Sequence, residues 1–361
     1  MGNNKTPKIM SEKNEKNRKI NIFAVPLLWD SVLGTSQSRE QRHNNFKLEV
    51  LKKKIMTDIR TKIREQLIKS EVLNASYLKE NGFYFNCVEE GIYQNRMLVE
   101  HALMFKKGSG SELQDSEDTP AKAKAIDSSS MLSYNFFNWI SEKQPLDLSG
   151  IKYTHVYFEV RLKTLRNSNA PANIDVVLVD KENKNVLFIE SKFLEYLKNE
   201  KADFSSSYTE LGNYFADNNS KENLITLVEN YNGKYGGYYD GIKQNICHII
   251  ALCNLEDEKA REYAKEKNPN LADIFEAAVS YKFKFINLIF NPCFNAAAKK
   301  KYDNYVNLLE TFQKDISFCN KFLVDNSIFM SYSDLYQKFT KQKPPLPKDL
   351  LNYLSKRYII K

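Results

Sequence analysis

Residues 173–192 read NIDVVLVDKENKNVLFIESK. Two nearly continuous apolar runs, Ile174–Val179 and Val186–Phe193, flank a polar stretch at 180–184. That is the pattern of two central strands joined by a hairpin turn and covered on both faces. A hairpin symmetric about the Glu182–Asn183 bond sets Val179 opposite Val186, Val177 opposite Phe188 and Val176 opposite Ile189. The same register puts Asp175 opposite Glu190. Period-two alternation then places Lys192 on the face of Glu190, with Ser191 pointing the other way. Opposed Cβ atoms lie about 4.5–5.5 Å apart, so two carboxylates there repel, and one must take up a proton unless a cation lies between them. Hard carboxylate oxygens suit Mg²⁺, with Mn²⁺ as its substitute, rather than zinc. Lys192 beside the pair suits a phosphoryl oxygen or an attacking water. The competing reading is a surface hairpin with a Glu–Lys pair at its rim.

Outward from the hairpin, Ser128–Ser130 caps a helix running to about Ile140, and Tyr153–Leu165 reads as a strand. A long helix is expected over roughly Tyr239–Leu255, and a strand over Phe283–Phe290, stopped by Asn291-Pro292. The order is helix, three strands, helix, strand. With Asp175 in PANID and Glu190-Ser191-Lys192 in IESK, this resembles the PD-(D/E)XK nuclease superfamily, the restriction-endonuclease-like fold. The stretches SSMLSYNFF, FEVRL, NIDVVL and IESKFLEY are similar to a group of bacterial restriction-endonuclease-like proteins. The resemblance covers roughly residues 128–292; the contiguous Pro-Asp dipeptide is absent, because Ala172, Asn173 and Ile174 intervene. It implies an α/β chain with an αβββαβ core and a mixed sheet, flanked by helical N- and C-terminal regions. It also implies a metal held by Asp175, Glu190 and the carbonyl of Ser191, and Mg²⁺-dependent endonucleolytic hydrolysis of DNA leaving 5′-phosphate and 3′-hydroxyl ends. A place in restriction or phage defence follows by analogy alone.

Glu159, in FEVRL, matches the extra upstream acid of some relatives or forms an ordinary strand salt bridge. Gln244, with His248 four residues on, resembles a QxxxY element with His in place of Tyr. Gln244 is expected to orient Lys192 or touch a phosphate, or else to be a partly buried helix residue. Glu195 reads as solvated. Lys163 and Arg166, and the tyrosine-rich stretch 231–239, are candidate nucleic-acid contacts, or simply packed loops. His43, His101 and His155 are isolated, and no triad or zinc set can be built from them.

The chain has 361 residues, 42% hydrophobic and 27% charged, which excludes wholesale disorder. Its apolar runs are far short of the ~20 residues a spanning helix needs, so no membrane is expected. The segment Ile22–Trp29 lies too far in, contains Pro26 and lacks a small-x-small site, which argues against a signal peptide. Five scattered cysteines form no CxxC pair, the usage of reduced thiols in cytoplasm. Residues 1–80 hold 17 Lys+Arg and 9 Asp+Glu, which accounts for the whole net charge of +8. This is a phosphate-seeking surface or a solvated tail and helix face. The expected organisation is a disordered basic tail (1–20), an N-terminal helical region (21–105), a polar linker (106–127), the nuclease core (128–292) and a C-terminal helical region (293–361). DNA is the expected partner. A homodimer is left open, as are a non-catalytic scaffold on the same fold and the same chemistry on RNA or on damaged or branched DNA.

Overall fold

The computed structural model describes residues 39–71, 75–79, 82–108, 112–168, 170–198, 200–237, 239–319 and 328–360. The expected disordered tail lies outside these residues. Two units are distinguished, 1–49 and 50–361. Of the first, only the opening turns of a helix are described, with Phe46 exposed.

That helix, α1, spans Arg39–Lys69. In the second unit its residues Ile55, Ile59, Ile63 and Leu67 are buried at helical spacing, the apolar stripe of an amphipathic helix, while Leu51 of the same three-to-four-residue series is exposed. Next come α2 (Val99–Lys107) and α3 (Ser129–Phe137). Ser128 caps α3, its side chain accepting from the Met131 amide, as Ser-rich helix starts do. A short hairpin of β1 (Leu146–Leu148) and β2 (Ile151–Tyr153) leads into β3 (His155–Lys163), β4 (Pro171–Asp180) and β5 (Asn185–Lys192). Helices α4 (Asn218–Glu229), α5 (Tyr231–Tyr235), α6 (Gln244–Cys253), α7 (Glu258–Lys267) and α8 (Ala272–Glu276) precede β6 (Lys282–Ile289). The chain continues through α9 (Ala296–Asp315), β7 (Phe329–Ser331), α10 (Tyr332–Phe339) and α11 (Lys348–Tyr358).

The main sheet is five-stranded and mixed, in the order β3-β4-β5-β6-β7. β3, β4 and β5 are antiparallel neighbours, while β5–β6 and β6–β7 are parallel. The parallel crossover from β5 to β6 is filled by α4–α8, as a crossover requires. Every residue of β5 is buried, because helices cover both faces of the sheet. The hairpin register is the symmetric one: Val176 pairs with Ile189, Val177 with Phe188 and Val179 with Val186.

Four expectations change. The stretch 106–127 is not a solvated spacer throughout, since Ala121, Ala123 and Ile126 sit in the core and Glu112 is buried. The helix expected over 239–255 opens with a π turn at Tyr239–Lys243 before α6 begins. In the tyrosine-rich stretch 231–239, Tyr231 and Tyr235 are buried in α5 rather than free to stack, and Lys234 pairs with Asp315 at 2.5 Å; Tyr238 lies outside the described residues. Arg166 is likewise engaged, by Asp257 at 3.2 Å and the Phe215 ring, and Lys163 donates to the Ser168 carbonyl. Large aromatic and aliphatic surfaces gain more from burial than from exposure, so these segments pack. No helix among the described residues is long and apolar enough to cross a membrane.

Candidate active site

Three adjacent strands bring three carboxyl groups to one level. On β4, Asp175 immediately precedes Val176, the first residue laddered to β5, and its carboxylate accepts a hydrogen bond from the Ser191 amide at 2.6 Å. This bond replaces the ladder pair expected between Asp175 and Glu190. On the other side, β3 pairs with β4 through Phe158–Val176 and Val160–Ile174. Glu159 therefore stands at the level of Asp175 but outside the ladder, with φ at +53°. A non-glycine residue in that region costs about 1–3 kcal/mol. The kink breaks the strand's alternation and turns Glu159 toward the cleft. Gly108, capping α2, presses on it: a β-carbon there would lie 2.9 Å from Glu159 Oε2.

Glu190 and Lys192 share a face, as the alternation predicts. Lys192 Nζ meets Glu190 Oε1 at 2.5 Å and donates to Gln244 Oε1 at 2.7 Å. His248, one turn on from Gln244 in α6, binds Glu190 Oε2 at 2.8 Å through Nε2. Thus α6 grips both groups at the end of β5, Gln244 holding the ammonium and His248 the carboxylate. On the opposite face, Ser191 Oγ bonds to the Ser129 carbonyl (3.1 Å) and to Tyr332 Oη (2.7 Å). The side chain of Ser191 points away from the cleft, as expected.

The electrostatics follow from burial and crowding. Burial, reinforced by the charges of Glu190 and Glu159, raises the Asp175 carboxyl well above the usual range, against Lys192 and the Ser191 amide. Burial would also raise Glu190, but Lys192 and His248 overcome it and bring the group down to about 2. Glu159 is pushed up to about 8, by burial first and then by Glu112 and Glu190. For Lys192, burial favours loss of the proton, yet Glu190 and Asp175 hold it on and raise its pKa. One ion pair is therefore charged while two further carboxyls resist ionising together.

Such a donor set fits a hard divalent cation. Asp175 and Glu159 have oxygens that no described residue engages, and a cation would let both ionise. Glu190 is the less available ligand, since both its oxygens are taken by Lys192 and His248. Among the described residues, no group of three or more His, Cys, Asp or Glu side chains is gathered to hold a metal ion. Mg²⁺ is commonly held by only one or two carboxylates, with water and phosphate oxygens completing the shell.

Glu159, Asp175, Glu190, Lys192 and Gln244 line a cleft of about 740 Å³. Glu112, from the stretch read as a linker, lines it too, with its carboxylate bound by Ser130 Oγ at 2.7 Å and Lys122 at 3.3 Å. Glu112 was missed because an acid in a Ser/Gly/Asp-rich stretch carries no periodicity. The contact of His248 with Glu190 was also not foreseen, although its four-residue spacing from Gln244 pointed to the same helix face. Glu195 is not merely solvated: Oε2 accepts from the Phe193 amide at 2.7 Å.

Comparison with curated proteins and with solved structures found no match. A family model described as Restriction Endonuclease associating with ARP matches residues 70–359. That span includes all five strands of the main sheet and every carboxylate of the cleft, and the chain belongs to this restriction-endonuclease family.

Proposed function

We propose that the chain is a divalent-metal-dependent nuclease that hydrolyses DNA phosphodiester bonds on a PD-(D/E)XK core. The observation that carries this reading is the level line of Glu159, Asp175 and Glu190 across three strands, with Lys192 clamped at its end. In this reading Asp175, Glu190 and the Ser191 carbonyl would hold Mg²⁺, with Glu159 as a further carboxylate. Bound there, the cation would lower the pKa of a water and clamp the scissile phosphate. Lys192 supplies a fixed positive charge for a phosphate oxygen or the attacking water. Its own position is held by Gln244 and Glu190, so it needs no reordering as charge develops. His248 keeps Glu190 aligned. The family description names association with ARP, and we extend that to this chain as a proposed partner.

The test is incubation of the purified protein with plasmid, single-stranded DNA and RNA, each in Mg²⁺, Mn²⁺ or EDTA. Cleavage is expected with the metals and not with EDTA, and Asp175→Ala or Glu190→Ala should abolish it. Calorimetry should show weakened Mn²⁺ binding in both variants. Unchanged metal affinity in the two would remove the carboxylates from the metal site.

A further inference from the structure

Tyr332 lies beyond the stretch 128–292 that reads as the nuclease core, yet it bonds to the middle residue of Glu190-Ser191-Lys192. It opens α10, directly after β7. In the sheet, Ser191 of β5 stands level with Leu288 of β6, and Leu288 with Met330 of β7. The chain leaves β7 one residue on, at Ser331, whose side chain caps α10 by accepting from the Asp334 amide at 3.0 Å. Tyr332 then reaches back across the face of the sheet to Ser191. Both side chains are closed to solvent, Ser191 at 0% and Tyr332 at 1% exposed. The Phe136 ring of α3 packs edge-on against Tyr332, with centroids 4.7 Å apart.

The two hydroxyl protons have one consistent arrangement. Ser191 Oγ lies 3.1 Å from the Ser129 carbonyl and 2.7 Å from Tyr332 Oη. A carbonyl only accepts, so the single Ser191 hydroxyl proton goes to Ser129, and Tyr332 donates to Ser191 Oγ. The Ser191 amide meanwhile donates to Asp175. Within a strand, the amide and carbonyl of one residue leave on the same edge, and the next residue uses the other edge. The Lys192 carbonyl accepts from Phe290, just past β6, so the Ser191 carbonyl is turned with its amide towards β4 and Asp175. Ser191 is thus held by α3 and α10 on one face of β5, while α6 holds Glu190 and Lys192 on the other. The peptide groups on either side of Ser191 are planar and stiff, so a displaced Ser191 carries both neighbours with it.

Resting on the metal-dependent reading above, we propose that Tyr332 is a positioning residue for the site. Its hydroxyl fixes Ser191, and through Ser191 the set of Asp175, Glu190 and Lys192, which makes β7 and α10 part of the catalytic core. Groups that orient metal ligands from behind are worth about 10–100-fold in metal affinity or activity. Tyr332→Phe deletes only the hydroxyl. It should weaken Mn²⁺ binding, read by electron paramagnetic resonance, and lower the single-turnover cleavage rate by about 10-fold or more, with half-saturating DNA unchanged. Ser191→Ala removes both bonds, and the double variant with Tyr332→Phe should be no weaker than Ser191→Ala alone, because the two hydroxyls act as one unit. Tyr358→Phe is the control. It deletes another buried hydroxyl of the same aromatic cluster, one that accepts from Asn135 at 2.9 Å, and should leave Mn²⁺ affinity and rate at wild-type values. Wild-type behaviour of Tyr332→Phe, an equal loss from Tyr358→Phe, or additive losses in the double variant would each overturn the inference and leave the nuclease reading standing. Wild-type protein that binds Mn²⁺ but cleaves no nucleic acid would end the nuclease reading, while weaker Mn²⁺ binding by Tyr332→Phe would still support the inference.

Discussion

Lys192 is the residue on which the enzymatic reading turns. Its ammonium bonds one oxygen of Glu190 and Gln244 and is not itself a metal ligand, so Lys192→Ala should leave Mn²⁺ binding largely in place. Single-turnover cleavage should fall by about 10²–10⁴-fold, the worth of a positioned proton-transfer group. Breaking a buried pair also costs about 3–5 kcal/mol of stability, so the assay belongs well below the variant's melting temperature. Lys192→Arg should not restore the rate, because a guanidinium stays charged and is bulkier; wild-type rates from Lys192→Ala would end the mechanism. A second prediction concerns Glu159. Its carboxyl titrates at about 8 in the folded protein against an ordinary 4.5, so the folded state binds the proton more tightly than the unfolded. Stability of the metal-free protein should therefore decline as pH rises from 4.5 towards 8. Glu190 acts in the opposite sense. Its stabilising ionisation is present above 4.5 and lost as pH falls towards about 2. Thermal melts in EDTA should show Glu159→Gln flattening the decline between pH 4.5 and 8. An unchanged slope would assign the decline to other groups.

At the scale of elements, the part of α1 within the second unit is packed on the core and lines the cleft through Met56 and Arg60. Ile59 is 0% exposed, and Ile59→Ala should cost about 2–5 kcal/mol in denaturant melts. Lys53→Ala, on the exposed face, should stay within about 0.5 kcal/mol. A comparable loss from both would mean that α1 is held by its charges. For α3, Ser128→Ala removes the acceptor for the Met131 amide and should cost about 1 kcal/mol. This helix start was legible because a run of serines before Met131 and Leu132 has one efficient use. The strands β4 and β5 were equally legible, since two apolar runs around a polar turn admit one register that keeps both faces buried. By contrast β7, three residues long, has no pattern of its own and forms only because β6 presents an edge.

At the scale of the whole molecule, the excess charge is concentrated on α1, with ten Lys+Arg and four Asp+Glu over Arg39–Lys69. If this face meets phosphates, Lys53→Ala with Lys54→Ala should reduce the slope of log K against log[salt] by about 1.4 for single-stranded DNA. An identical slope in the double variant would show those charges to be solvated only. Deleting residues 1–80 would not be a clean test, because it removes Ile55, Ile59, Ile63 and Leu67 from the core.

The sequence by itself determined the hairpin, and a symmetric turn gave its register as far as Val176–Ile189, which brings Asp175 near Glu190 and Lys192 although Asp175 meets the Ser191 amide rather than pairing with Glu190. Period-two alternation and burial on both faces are local rules, and they left one consistent arrangement. It determined the capped start of α3 for the same kind of reason, and of the apolar series along α1 the part from Ile55 to Leu67, whereas Leu51 stays exposed. Only the tertiary structure decided that Glu159 leaves its ladder at positive φ and that Glu112 reaches the cleft from a patternless stretch. It alone decided that His248 closes on Glu190 across 58 residues of chain, and that α1 walls the site. These are contacts between segments far apart in sequence, set by how the helices pack on the sheet, and no local periodicity encodes them.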